Sequence, residues 1–109
     1  MKRYCLALDL KDEEELIAEY ERLHTQVKPE IISSIVNAGI TVMDIYRTGN
    51  RLFMIMEADD DFSFEKKDSM DAANAAVQAW EKQVWKYQQA LPNAKPGEKW
   101  IVMDKIFEL

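Results

Sequence analysis

The chain has 109 residues, 48% of them apolar and 31% charged, and its 14 Lys and Arg against 20 Asp and Glu leave a net charge of −6. That length supports one folded domain, residues 1–109, with its own core, and is too short for two. The acidic balance and the lack of a basic stripe exclude nucleic acid and acidic membrane surfaces as partners; the N-terminal apolar run is too short and too soon charged for a signal peptide or membrane span, so a soluble cytoplasmic protein is expected.

Residues 2–10 are predicted to form a strand, with Tyr4, Leu6, Leu8 and Leu10 on one face and Cys5, Ala7 and Asp9 on the other. Cys5 is the only cysteine, so no intrachain disulfide is possible, and it is expected to pack as a small hydrophobe inside the strand. Asp12 offers a helix N-cap, and Glu15 three residues on completes a capping box. The acidic run Glu13-Glu14-Glu15 suits the positive end of a helix dipole better than a metal. That helix is predicted to reach about residue 26, with Leu16, Tyr20, Leu23 and Val27 as its inner stripe and Ile17 and His24 beside it.

Pro29 breaks the pattern and opens a second short helix through Val36, closed by Ala38-Gly39. Residues 40–47 and 51–58 flank Thr48-Gly49-Asn50, the clearest hairpin signal in the chain, and Asp59-Asp60-Asp61 end it. Residues 62–73 are expected to form an irregular or helical connector anchored by Phe62 and Phe64. A long helix is predicted over 74–90, with Val77, Trp80, Val84, Tyr87 and Leu91 as its stripe and Trp85 flanking it. Pro92 to Gly97 form a loop, and 99–108 the last strand.

The order β-α-β-β-α-β is a split βαβ of ferredoxin-like type, an α+β fold with a four-stranded antiparallel sheet and helices on one face. The hairpin is apolar on both sides, with Leu52, Met54 and Met56 alternating with Phe53 and Ile55. Helices cover one face; the other needs a second cover. A homodimer packed sheet against sheet, as in a dimeric α/β barrel, supplies it most simply.

The chemistry narrows by elimination. No Ser or Cys sits in a nucleophile elbow. One histidine and one cysteine, without paired spacing, leave too few ligands for a metal site. Three glycines make no phosphate loop. His24 remains, the only imidazole in the chain and the side chain that titrates near neutrality. Tyr20 precedes it by one helical turn on the same face. A lone histidine on a helix is more often a satisfied structural group, and Trp80 is expected in the core. Trp85 falls off the main stripe and can line a pocket. An aromatic wall beside a proton-transfer group suits sugars, whose C–H faces stack on rings.

The runs Glu19-Tyr20-x-x-x-His24, Pro29-Glu30, Ile45-Tyr46, Asn50-Arg51-Leu52-Phe53, Trp85-Lys86-Tyr87 with Leu91-Pro92, and Ile106-Phe107 occur in an order and spacing that resemble the L-rhamnose mutarotase family along essentially the whole chain. The resemblance implies a dimeric ferredoxin-like fold and a metal-free, cofactor-free isomerase. It places the family's proton-transferring histidine at His24 and a substrate-binding tyrosine at Tyr20. The family's Trp-Trp pair falls on Val84-Trp85, and a further substrate-binding tyrosine of the rhamnose enzymes falls near Met43. Met1–Leu10 and Gly49–Glu57 look closer to relatives assigned to L-fucose.

The implied activity is interconversion of α and β pyranose anomers of a 6-deoxy-L-hexose, L-fucose favoured over L-rhamnose, by acid–base ring opening and closing. His24 is the expected proton donor to the ring oxygen. Tyr20 is expected to bond a sugar hydroxyl or orient His24, and Trp85 to stack on the sugar. Met43, Tyr46 and Arg47 are further candidate substrate positions, although Asp44 and Arg47 equally suit solvated or paired sheet residues. Two alternatives use the same scaffold: a non-enzymatic small-ligand or regulatory module, and a cofactor-independent monooxygenase. A sugar isomerase calls for a small wet cleft around His24; a monooxygenase for aromatic substrates calls for a larger, drier one.

Overall fold

A computed structural model describes residues 1–109. Its elements are β1 (Lys2–Leu10), α1 (Glu14–Leu23), α2 (Pro29–Asn37), β2 (Ile40–Thr48), β3 (Arg51–Ala58), α3 (Phe64–Ala72), α4 (Ala75–Trp85), β4 (Gln88–Gln89) and β5 (Ile101–Val102). The sheet is antiparallel in the order β2-β3-β1-β4, with β5 also pairing β1. β4 pairs with Asp9 and Leu10, and β5 with Leu6 and Ala7. Two short strands thus share one edge of β1, and the sheet stays four strands wide, the α+β ferredoxin-like arrangement expected from the element order.

Strand alternation and register separate two faces. Leu6 and Leu8 stand opposite Met54 and Leu52, and Met43 and Ile45 opposite Met56 and Met54. This side is covered by helices. Leu8 and Leu10 are 0% exposed, and Tyr20, Ile31, Val77 and Val84 from α1, α2 and α4 are buried with them. The other side pairs Cys5 with Ile55 and Ala7 with Phe53. These four residues are half-buried, and Cys5 is a free thiol on this open face. Cross-strand ion pairs, Arg3–Glu57 and Asp9–Arg51, flank them. Arg51 grips Asp9 with two bonds, of 2.8 and 3.1 Å. The Asp9 carboxylate raises the pKa of Arg51 further above its ordinary value through the hydrogen bond and the charge.

The hairpin turn takes the positive φ its glycine allows, +55° at Gly49. Gly39, at +95°, turns the chain from α2 into β2. A bulge between Ile40 and Val42 then resets the register of β2.

Several boundaries differ from the sequence expectation. The capping box at Asp12 and Glu15 does not form; Glu13 is the N-cap and offers no side-chain bond. Lys11 N–H donates to the Tyr87 carbonyl at 2.9 Å, and Glu13 N–H to that of Lys11 at 2.8 Å. The chain is therefore tied to the β4 side before α1 begins. α1 stops at Leu23 rather than near 26, because Thr25 turns back and its hydroxyl donates to the Arg22 carbonyl at 2.7 Å. The 62–73 connector contains a full helix, α3, capped by Ser63 Oγ accepting from Lys66 N–H at 3.1 Å.

α4 is capped by Asn74, whose Oδ1 accepts from the N–H groups of Ala76 and Val77. It ends at Trp85, not 90, because Gln88 and Gln89 pair with β1. The strand predicted over 99–108 shrinks to β5 with one further bond, Met103 N–H to the Cys5 carbonyl at 2.7 Å. Continuing the Leu6–Val102 register would set Lys105 against Arg3, and like charges directly opposite oppose pairing. No helix is long and apolar enough to cross a membrane.

Candidate active site

His24 is the C-cap of α1, with φ −83° and ψ −4°. Its Nδ1 lies 2.8 Å from the Tyr20 carbonyl oxygen, one turn back. A carbonyl can only accept, so Nδ1 carries the hydrogen and Nε2 of the neutral ring carries the lone pair. The ring is half-buried between two aromatics: the Tyr20 ring centroid is 4.4 Å away, and Trp80 packs edge-on at 5.4 Å. The helix end thus fixes both the orientation and the tautomer of the imidazole.

Tyr20 is 4% exposed, and its hydroxyl accepts a bond from Gln88 Nε2 at 3.2 Å. Burial pushes the phenol pKa above its ordinary value, and the Gln88 bond opposes that only in part. Tyr20 therefore stays neutral at cellular pH, with its own proton available to a ligand. Gln88 can reach it because the chain leaves α4 and returns as β4 beside Leu10.

Tyr20 and His24 line a cavity of about 400 Å³ between α1, α2, α3, α4 and β2, a size suited to a small ligand. Ile31 and Ile35 of α2 with Met43 and Ile45 of β2 make an apolar wall, and Trp80 and Trp100 an aromatic one. Lys67, Asp71, Glu81 and Lys99 add charged groups to the lining. No cluster of three or more His, Cys, Asp or Glu residues is placed to hold a metal ion.

The fold brings three of the candidate residues, His24, Tyr20 and Met43, to this cavity. The other three lie outside its lining. Tyr46 pairs with Phe53 on the open sheet face and is 57% exposed, since strand alternation turns it away from Ile45. Arg47 is ion-paired with Glu21 of α1 and donates to the Gly49 carbonyl at 2.7 Å. Trp85 sits on the outer side of the α4 terminus, with Lys99 Nζ 5.1 Å above its ring. Asp44 is exposed on the open face.

Val84, where the sequence resemblance implies the first tryptophan of a pair, does line the cavity. Its aromatic lining comes instead from Trp80, expected in the core but only half-buried, and from Trp100, expected within a longer strand. Trp80 shares the i, i+3, i+4 face of Val77 and Val84, so periodicity alone cannot separate core from cavity wall. Lys67 and Asp71 were legible only as an i,i+4 charge pair, a spacing common on solvated helices.

Residues 3–109 match the sequence model of the L-rhamnose mutarotase family. An L-fucose mutarotase of Xanthomonas campestris pv. campestris is 44% identical over 111 residues, covering 100% of this chain and 89% of that protein. The crystal structure of an L-rhamnose mutarotase from Formosa agariphila superposes with a TM-score of 0.73 at 20% identity, covering 100% of this chain and 99% of that one. A dimeric ferredoxin-like protein from an uncultured marine organism superposes with a TM-score of 0.54 at 16% identity, covering 98% of this chain and 90% of that one. With a family match spanning nearly every residue, the chain belongs to the L-rhamnose mutarotase family and, with it, to the carbohydrate isomerases.

Proposed function

We propose that this chain interconverts the α and β pyranose anomers of a 6-deoxy-L-hexose, with L-fucose preferred over L-rhamnose. The observation that carries the reading is a histidine of fixed tautomer, facing a cavity of about 400 Å³ with a neutral buried tyrosine and two tryptophans in its lining. Ring opening puts a proton on O5 as C1–O5 breaks and removes one from the anomeric hydroxyl. Because Nδ1–H is held by the Tyr20 carbonyl, all exchange with substrate runs through Nε2. The imidazolium donates Nε2–H to O5 on opening. The neutral ring takes the O5 proton back on closing, after the C1–C2 bond has turned. The anomeric proton passes to water and returns from it. One ring nitrogen that can both give and take the proton serves both directions.

Tyr20 donates to a sugar hydroxyl, and the C–H face of the sugar rests on Trp80 and Trp100. The isoleucines and Met43 receive the 6-methyl group. The preference for L-fucose is supported by the L-fucose mutarotase relative and by the family resemblance, which implies aromatics of the rhamnose enzymes at the positions of Val84 and Met43. The enzyme works as a homodimer packed through the open sheet face, where Cys5, Ala7, Phe53 and Ile55 offer apolar area to a second copy. NMR saturation transfer between the anomeric protons of L-fucose, L-rhamnose and a panel of other hexoses tests the reading. Exchange should accelerate most for L-fucose. Equal or faster exchange of L-rhamnose overturns the preference, and no acceleration of any sugar overturns the function.

A further inference from the structure

α3 differs from the other helices in what it buries. Its buried residue is a carboxylate, Asp71, at 7% exposure. Lys67, one turn earlier and 21% exposed, pairs with Asp71 Oδ2. The corner behind them is fixed, because the Asp71 carbonyl accepts from Gln78 Nε2 at 2.9 Å and from Asn74 N–H at 3.1 Å. A buried ion pair returns little net stability, since desolvation offsets the attraction. Both residues line the cavity that holds His24. The pair occupies Oδ2; Oδ1 has no partner in the chain and is not sealed from solvent.

The lining follows α4 from Val77, beside the Asp71 corner, through Trp80 to Val84. His24 packs on Trp80, farther along that helix than the ion pair. We propose that Lys67 and Asp71 form the hydroxyl-reading end of the sugar site, Oδ1 accepting from and the ammonium donating to the C3 and C4 hydroxyls. This rests on the mutarotase reading above and adds its specificity determinant. With C1 and O5 at His24, the hydroxyls at the far side of the pyranose are those at C3 and C4. The C4 hydroxyl points to opposite ring faces in L-fucose and L-rhamnose, so a fixed charge pair there distinguishes them.

The test compares kcat/KM for anomer exchange of L-fucose and 4-deoxy-L-fucose in the wild type, Asp71→Asn and Lys67→Met. The wild type should favour L-fucose by about ten-fold or more, the scale of one hydrogen bond to a charged group. Asp71→Asn should lose a similar factor on L-fucose, more through KM than kcat, and far less on the 4-deoxy sugar, so that discrimination collapses. Equal losses on both sugars, or no loss on either, overturn the inference. Since a lone buried charge can unfold the single variants, the double variant Lys67→Met with Asp71→Leu replaces both charges by apolar groups. It too should lose discrimination, and a folded double variant that keeps it refutes the role. A wild type that exchanges L-fucose while the variants still discriminate sinks this inference alone. A wild type that neither exchanges L-fucose nor gives a saturation-transfer difference signal with it sinks the sugar reading as well.

Discussion

Replacing His24 by asparagine separates proton transfer from structure. The asparagine amide stands where Nδ1–H stood and can still donate to the Tyr20 carbonyl, now 2.8 Å from Nδ1. What it cannot do is gain or lose a proton. The structural loss is confined to the ring contacts with Tyr20 and Trp80, about 0.5–1.5 kcal/mol each for aromatic pairs. A stability decrease of about 1–3 kcal/mol is therefore expected, short of unfolding a typical domain. The kinetic loss should be larger: acid–base groups give about 10²–10⁴-fold, or about 3–5 kcal/mol of barrier at about 1.4 kcal/mol per decade. Saturation transfer on L-fucose reads the rate, and a urea melt reads the stability on the same sample. His24→Ala should recover part of its rate in added imidazole, which can enter the space vacated. A His24→Asn protein that is folded and within about three-fold of wild-type exchange would refute the assignment, because a positioned acid–base group gives at least about 10²-fold.

Other outcomes follow from burial and from the phenol. Leu10→Ala, at a site of 0% exposure packed with Tyr20, Leu52 and Val84, should cost about 2–5 kcal/mol in a urea melt; a cost under about 1 kcal/mol contradicts the core described. Tyr20 has its phenol pKa raised by burial, so the folded state holds that proton more tightly than the unfolded chain. Its contribution is complete below the ordinary value of 10.0 and is lost as pH rises through the folded value. Melts from about pH 8 to pH 11 should show the advantage of wild type over Tyr20→Phe shrinking at the alkaline end, and a constant gap denies the coupling. Ile55→Glu places a charge at the centre of the open sheet face and should turn a dimer into a folded monomer by light scattering. A wild type already monomeric at working concentration removes the dimer.

The fold was legible where the two periodicities were clean. β1, α2 and the β2–β3 hairpin lie within a residue or so of their expected bounds, since each carries its own pattern and a local stop at Pro29, Gly39 or Gly49. Two of the misplaced boundaries, the end of α4 and the extent of the last strand, depend on β1. Gln88 and Gln89 extend a helical pattern, but their backbone pairs with Asp9 and Leu10, a contact nearly eighty residues away in sequence that no local signal encodes. The site divides the same way. His24 and Tyr20 share one helix face and are visible as a spacing. Lys67 and Asp71 are not, because α3 has no apolar stripe to say which side faces inward. Trp100 lines the cavity from just before β5, where its strand parity is that of a core residue and does not mark it as a cavity wall.

The shortness of the last strand has a consequence for the behaviour of the protein in concentrated solution. An exposed strand edge is a template on which another chain can add a strand. On the β1 side two two-residue pieces, Gln88–Gln89 and Ile101–Val102, pair with the second half of β1 and leave its basic start, Lys2 and Arg3, open. Neither is long enough to recruit a foreign strand. The opposite edge, β2, runs nine residues, but it is bulged between Ile40 and Val42 and carries Asp44 and Arg47. Charge and bulge are the devices by which native edges resist polymerisation. Self-association through edges is discouraged on both sides, in keeping with the proposed packing of copies through the face of the sheet.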